Sequence, residues 1–374
     1  MVVKLSKPKL SMPTPVVPRA LKPGATIAFV SPSARVNLEL APAIARATAL
    51  LKDRGYQVRE LFNPDSGIQS SIQTRLTELR AAFSDPSVAA IICTTGGPSF
   101  TELLPGLIAD TELHDIIRVN PKVVVGYSDI TGLHWFLHAL TGLRTFYGPG
   151  AIPELCENKA VDVEIYEASP LAFCVKHLLR AITVPEPIGE IARSPTYAPA
   201  PALVFNDPCS TQPPELATTA GWTWIRSGRA MGRLFGGCLH VMTRLAGVPA
   251  IVPDWQSRIV FFETALDEKF VAGKPLSEVR AGIADLIAQG VFDEAAGLVV
   301  GRPFGYDSPG MRVDYVSVIR ELLCEGPMAK KGFPILLNVD FGHTTPMVTL
   351  PFDSMAILDS EKDSFSIVEP GITA

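Results

Sequence analysis

Short unbroken apolar runs alternate along this chain with longer stretches in which apolar residues recur at helical spacing. The runs at 26–30, 57–61, 89–93 and 123–126 read as strands, and the stretches at 41–54, 73–83 and 130–143 read as helices. Strands that alternate with helices predict an α/β fold whose parallel sheet carries helices on its faces. Ligands in such sheets sit at the carboxyl ends of the strands. Two turns fall there: Thr94-Thr95-Gly96-Gly97 after the third run, and Gly126-Tyr127-Ser128-Asp129-Ile130-Thr131 after the fourth.

The rhythm breaks beyond residue 155. Proline-rich pieces such as 194–201 and 211–214 interrupt it, around one helical stretch at 169–180. It resumes near 228 with a glycine-rich entry (Gly232, Gly236, Gly237). Helices are predicted at 239–245, 276–289 and 313–323, and strands at 258–262, 297–300 and 334–339. The chain therefore divides into a flexible N-terminal extension (1–22), a first domain (23–155), a linker with an embedded helix (156–227) and a second domain (228–374).

Composition narrows the classes. The 374 residues are 47% hydrophobic and 19% charged, with a net charge of −5, which suits two packed cores and offers no basic surface for nucleic acid. No apolar run reaches the roughly 18 residues of a membrane span, and the first 22 residues lack the apolar stretch of a secretory signal. Six scattered cysteines without a C-x-x-C pair fit reduced thiols in a cytoplasmic protein better than a metal site or a disulfide framework. Partners are expected to be small molecules or peptides, with no nucleic acid and no membrane.

A serine on a sharp strand-to-helix turn has its Oγ at the sheet edge, beside the free N–H groups of the helix start. Ser128 has that position, which suits a nucleophile and equally a helix cap. Acyl transfer by serine also needs a base, a group to orient it, and donors for the oxyanion. Of six histidines, His134 and His138 lie one turn apart on the helix after Ser128, without the glutamate of a zinc-protease helix, and read as partly exposed helix residues. His343 follows a strand end within Asp340-Phe341-Gly342-His343. Glu263 ends the run 259–262, where a carboxylate needs a partner such as an imidazole N–H or else faces water. Gly96-Gly97 is too short for a dinucleotide fingerprint; it is either a tight turn or a bare amide, from Gly97, aimed at an oxyanion. The amide of Asp129, next to Ser128, is the second candidate donor.

In this order, these pieces resemble the LD-carboxypeptidase family of serine peptidases (family S66), closer to its microcin-immunity-like branch. The likeness runs from Gly24-Ala25-Thr26-Ile27-Ala28 to Leu350-Pro351. It is carried by Thr95-Gly96-Gly97, Gly126-Tyr127-Ser128-Asp129-Ile130-Thr131, Tyr147-Gly148-Pro149, Gly232-Arg233-Leu234-Phe235-Gly236-Gly237, Phe261-Phe262-Glu263 and Phe341-Gly342-His343. The resemblance implies a Rossmann-like N-terminal domain, a smaller β-rich α/β C-terminal domain, an active site in the cleft between them, and a homodimer. It implies Ser128 as nucleophile, His343 as base and Glu263 as its orienting carboxylate, with the Gly97 and Asp129 amides as oxyanion hole and no cofactor. The chain departs from the family pattern at Cys238, where asparagine is usual, and at Thr264, where aspartate is usual.

The expected activity is hydrolysis of an amide bond near a free carboxylate or other anionic end, in a small peptide or aminoacyl-type substrate. Arg233 and Arg302, flanked by glycines, are candidates to fork onto that anion. Two other outcomes stay open: an acyltransferase or cyclase using the same acyl-enzyme, and a catalytically silent binding protein that keeps the cleft.

Overall fold

The computed structural model describes residues 14–35, 38–63, 67–157, 167–210, 212–269 and 271–374. Its first sheet has six strands in the order Leu350–Pro351, Phe146–Tyr147, Val123–Gly126, Val88–Cys93, Thr26–Val30 and Gln57–Glu60. All run parallel except Leu350–Pro351. The central strands are apolar at nearly every position because helices cover both faces: Thr26–Val30 and Val123–Gly126 are buried throughout. The covering helices are Ala41–Asp53, Ile68–Ser84, Thr111–Val119, Thr131–Thr141 and Pro170–Thr183. Their ends follow local chemistry. Asp110 accepts the Leu113 amide at 3.0 Å, and Ser169 accepts the Ala172 amide at 3.1 Å ahead of Pro170.

The second sheet has eight strands: Gly189–Glu190, Ser364–Ile367, Met355–Asp359, Arg229–Cys238, Arg258–Glu263, Gly297–Gly301, Ile335–Val339 and Thr223–Arg226. Four central parallel strands are flanked by antiparallel ones. The glycine-rich entry expected at 228 is the long central strand Arg229–Cys238. A Cβ at Gly236 would stand 1.7 Å from the carbonyl oxygen of Phe261, so the close approach of two backbones explains the glycine there.

Helix Thr131–Thr141 joins the two layers. It is apolar on nearly all sides because both sheets bury it, and the Trp135 indole N–H donates to the Gly236 carbonyl at 2.8 Å. His134 and His138 are therefore buried, against the expectation of partial exposure. The His134 Nε2–H donates to the Gly126 carbonyl at 2.9 Å, which leaves Nδ1 to accept from Thr145 Oγ1 at 2.8 Å. Burial pushes that imidazole down to about 4, so it stays neutral.

The chain path also differs from the expected division. Residues 14–22, expected within a flexible extension, are tied down. Val16 donates to the Gly142 carbonyl at 2.8 Å, Ala20 to Thr373 at 2.7 Å, and Ala20 and Leu21 are buried. The remainder of that extension lies outside the described residues. The linker supplies edge strands Gly189–Glu190 and Thr223–Arg226 to the second sheet, while Leu350–Pro351 closes the first. Among the described residues no helix is long and apolar enough to cross a membrane, and all six cysteines are free thiols.

Candidate active site

Ser128 follows strand Val123–Gly126 and opens a short helical turn that runs into helix Thr131–Thr141. Its φ of 63° is left-handed, a conformation that serine adopts only under constraint. The constraints are visible. Its amide donates to the Tyr147 hydroxyl at 3.1 Å, and its carbonyl accepts from Thr131 Oγ1 at 2.6 Å. Thr131 Oγ1 in turn accepts the Cys238 amide at 3.0 Å, so the second domain helps to hold the turn. That contact uses the backbone of residue 238, and burial pushes the Cys238 thiol well up and keeps it protonated.

The Gly96-Gly97 turn lies directly over Ser128. A Cβ at Gly96 would stand 2.8 Å from Ser128 Cβ and 3.3 Å from the Asp129 amide nitrogen. Gly97, at φ 143°, has no room either, since its Cβ would meet the Ala34 nitrogen at 2.6 Å. The Asp129 carboxylate is buried and secures this turn. It accepts from Ser33 Oγ at 2.5 Å, the Phe100 amide at 2.8 Å and Arg244 Nη2 at 2.5 Å. Arg244 belongs to the second domain, so this ion pair also crosses between domains.

Glu263 ends its strand fully buried. The His343 Nδ1–H donates to Oε2 at 2.7 Å, and the Tyr147 hydroxyl donates to Oε1 at 2.6 Å. Burial alone would push this carboxyl up; the adjoining His343 ring and these hydrogen bonds outweigh it and hold the carboxyl below its usual range. The bond at Nδ1 fixes the ring tautomer and leaves Nε2 as the basic nitrogen. Gly342, at φ 86°, permits the approach: a Cβ there would stand 2.2 Å from Glu263 Cγ.

The His343 ring packs edge-on against Tyr127, with centroids 5.1 Å apart. The Tyr127 hydroxyl donates to Glu154 Oε1 at 2.7 Å. Ser128, Glu263 and His343 are thus joined through Tyr127 and Tyr147 at the carboxyl ends of both sheets. A cavity of about 260 Å³ reaches this cluster through Glu154 and is bounded also by Glu157, Arg46, Leu203, Val204 and Thr345; Ser128, Glu263 and His343 do not line it.

The two arginine candidates have other partners. Arg233 lies on the same strand as Cys238, five residues earlier and in register with Arg258 rather than Glu263. It bonds the Glu369 carboxylate at 2.8 Å and the Asp353 carbonyl at 2.5 Å. Arg302 is buried near the His343 loop, where it pairs with the Asp340 carboxylate and donates to Thr219 Oγ1 at 2.7 Å. Tyr127, Tyr147, Glu154 and Arg244 escaped the sequence reading. The available signal for the two tyrosines was their place at the carboxyl ends of two buried strands, since a buried phenol needs a hydrogen-bond partner.

Residues 27–148 match the LD-carboxypeptidase N-terminal domain, and residues 231–358 match the LD-carboxypeptidase C-terminal domain. The chain belongs to the LD-carboxypeptidase family of S66 peptidases. Membership makes it a peptide-bond hydrolase of the serine carboxypeptidase type. It is 27% identical to a putative carboxypeptidase of Vibrio cholerae over 95% of this chain and 98% of that protein. It is also 27% identical to the microcin C7 self-immunity protein MccF of Escherichia coli, over 95% and 96%. A probable murein peptide carboxypeptidase of Bacillus subtilis is 26% identical over 95% of each. The solved structure of MccF in its apo state superposes with a TM-score of 0.80 at 24% identity, covering 96% of this chain and 100% of that one. An MccF-like protein of Bacillus anthracis gives 0.78 at 26% identity, over 94% and 99%. These structures share the two-domain α/β fold. Against the LD-carboxypeptidase pattern, Thr264 is buried and receives the Tyr315 hydroxyl at 3.5 Å, a neutral contact where aspartate would carry charge.

Proposed function

We propose that this LD-carboxypeptidase homologue cleaves an amide bond next to a free carboxylate or other anionic end through Ser128, His343 and Glu263, by way of an acyl-enzyme. The observation that carries this reading is the 2.7 Å bond from His343 Nδ1 to a buried Glu263 whose other oxygen is tied, through Tyr147, to the Ser128 amide. With Nδ1–H engaged, Nε2 takes the serine proton during attack and returns it to the leaving amine. Glu263 orients the ring and stabilises the imidazolium. The Gly97 and Asp129 amides receive the oxyanion, and water then releases the acyl group.

Solved structures of MccF include complexes with aspartyl sulfamoyl adenosine and glutamyl sulfamoyl guanosine, which supports aminoacyl-type or small peptide substrates here. A cytoplasmic homodimer is the assembly that accompanies this reading.

The test is a panel of L,D-peptides and aminoacyl sulfamoyl nucleosides incubated with wild type and Ser128→Ala, with products read by mass spectrometry. Wild type should release the terminal group from one class. Ser128→Ala should lose about 10³-fold or more of that rate while keeping its fold. Undiminished turnover by the variant overturns the assignment.

A further inference from the structure

Tyr147 is fully buried, and its hydroxyl touches both halves of the site. It donates to Glu263 Oε1 at 2.6 Å and accepts the Ser128 amide at 3.1 Å. A phenol has one proton and two lone pairs, so one hydroxyl can make both bonds at once. Its ring is held edge-on by Phe261 and Tyr127, at centroid distances of 5.3 Å and 6.3 Å, so the hydroxyl has one available position.

We infer that Tyr147 is a positioning residue that sets the geometry of the nucleophile and of its distant carboxylate through one shared hydroxyl. The inference rests on the Ser128–His343–Glu263 reading. On the carboxylate side, the bond to Oε1 fixes the rotation of the Glu263 side chain, so that Oε2 is turned to His343. It also disperses part of the anionic charge. On the serine side, engaging the amide supports the left-handed turn at Ser128. It also removes that N–H from the oxyanion site, which leaves the role to Asp129 and Gly97. Tyr147 supplies this link from the neighbouring strand Phe146–Tyr147.

Other titratable groups face this cluster. His134 and Tyr127 adjoin the Tyr147 ring, Cys238, His240 and Tyr315 feel the Glu263 charge, and Glu154 feels His343. Of these, burial brings Glu154 up to about 7, and Tyr147→Phe does not touch it.

Tyr147→Phe keeps the ring and removes both bonds. Expected results are a fall in kcat of about 10- to 100-fold with little change in KM, and slower labelling of Ser128 by a fluorophosphonate. The acid limb of the kcat/KM profile should move to higher pH, because a carboxylate that keeps its whole charge holds the imidazolium more tightly. A difluorotyrosine at 147 keeps the shape and donates more strongly, so its acid limb should move to lower pH. This second variant gives a result even where the first folds poorly. A packing role alone moves neither limb. Wild-type kcat and limbs in both variants, with Ser128→Ala and His343→Ala inactive, overturn the inference and leave the triad standing. Active Ser128→Ala and His343→Ala proteins would overturn the triad itself.

Discussion

Glu154 shows how much one buried side chain can carry. Only 5% exposed, it accepts from the Tyr127 hydroxyl and from the Gly150 amide, the latter at 3.0 Å. Burial pushes its carboxyl up to about 7, while those two bonds pull the other way. A folded pKa above the unfolded value, about 4.3, contributes stability that is complete below the unfolded value and disappears as pH rises toward 7. Urea denaturation of wild type and Glu154→Gln at pH 5 and pH 8 should therefore show the wild type losing ground to the variant at the higher pH, by roughly 3 kcal/mol. A gap that does not change with pH would mean that Glu154 is charged in the fold. The sequence makes Ser128, Glu263 and His343 legible as polar residues at strand ends. It hides Glu154, Tyr147 and Arg244, because the side chains they bond lie well away in the chain and no local spacing marks them.

Elements were easier to read than their edges. The strands at 26–30 and 123–126 stand where the apolar pattern puts them, since packing on both faces leaves almost no polar position to blur the run, and the helix at 239–245 does so through Leu239, Val241, Met242 and Leu245 on its buried face. Helices Leu104–Ala109 and Thr111–Val119 were not anticipated, nor was the hairpin Met355–Asp359 with Ser364–Ile367. Thr111–Val119 places Leu113, Ile116 and Ile117 at helical spacing, but nine residues hold only one such repeat, and the hairpin is short. The loop after Ile335–Val339 matters most. Gly342 brings His343 against Glu263 with no space for a methyl group. Gly342→Ala should displace the carboxylate and lower kcat/KM by about 10²-fold, with a stability loss of about 1–3 kcal/mol. Steady-state kinetics and thermal melts check both, and a fully active variant would show that the loop can yield.

Across the whole molecule, Asp353 is one ionic junction between domains. Its carboxylate lies 2.8 Å from Arg258 and 3.8 Å from Arg233 in the second domain, and 3.6 Å from His138 and 3.9 Å from Arg144 in the first. Burial would raise this carboxyl, but His138 and Arg258 hold it far below the usual range. Its stabilising effect is present above an unfolded pKa of about 3.9 and is lost as pH falls through the folded value. Asp353→Asn should cost about 3–5 kcal/mol at neutral pH and weaken the dependence of stability on acid, as measured by denaturant titration from pH 7 to pH 3. An unchanged midpoint would mean that the surrounding arginines repair the loss. This junction was illegible in the sequence, where Arg233 looked free to meet a substrate.

Strand Leu350–Pro351, which pairs with Phe146–Tyr147, comes from the far side of His343 in the chain. During synthesis the layer bearing Ser128 must wait for a piece that leaves the ribosome long after the rest of that layer. A nascent or prematurely terminated chain thus has no finished sheet beneath Ser128. The two lobes are likewise no pair of separable modules, and cutting the gene between them would leave each fragment short of a strand or a partner.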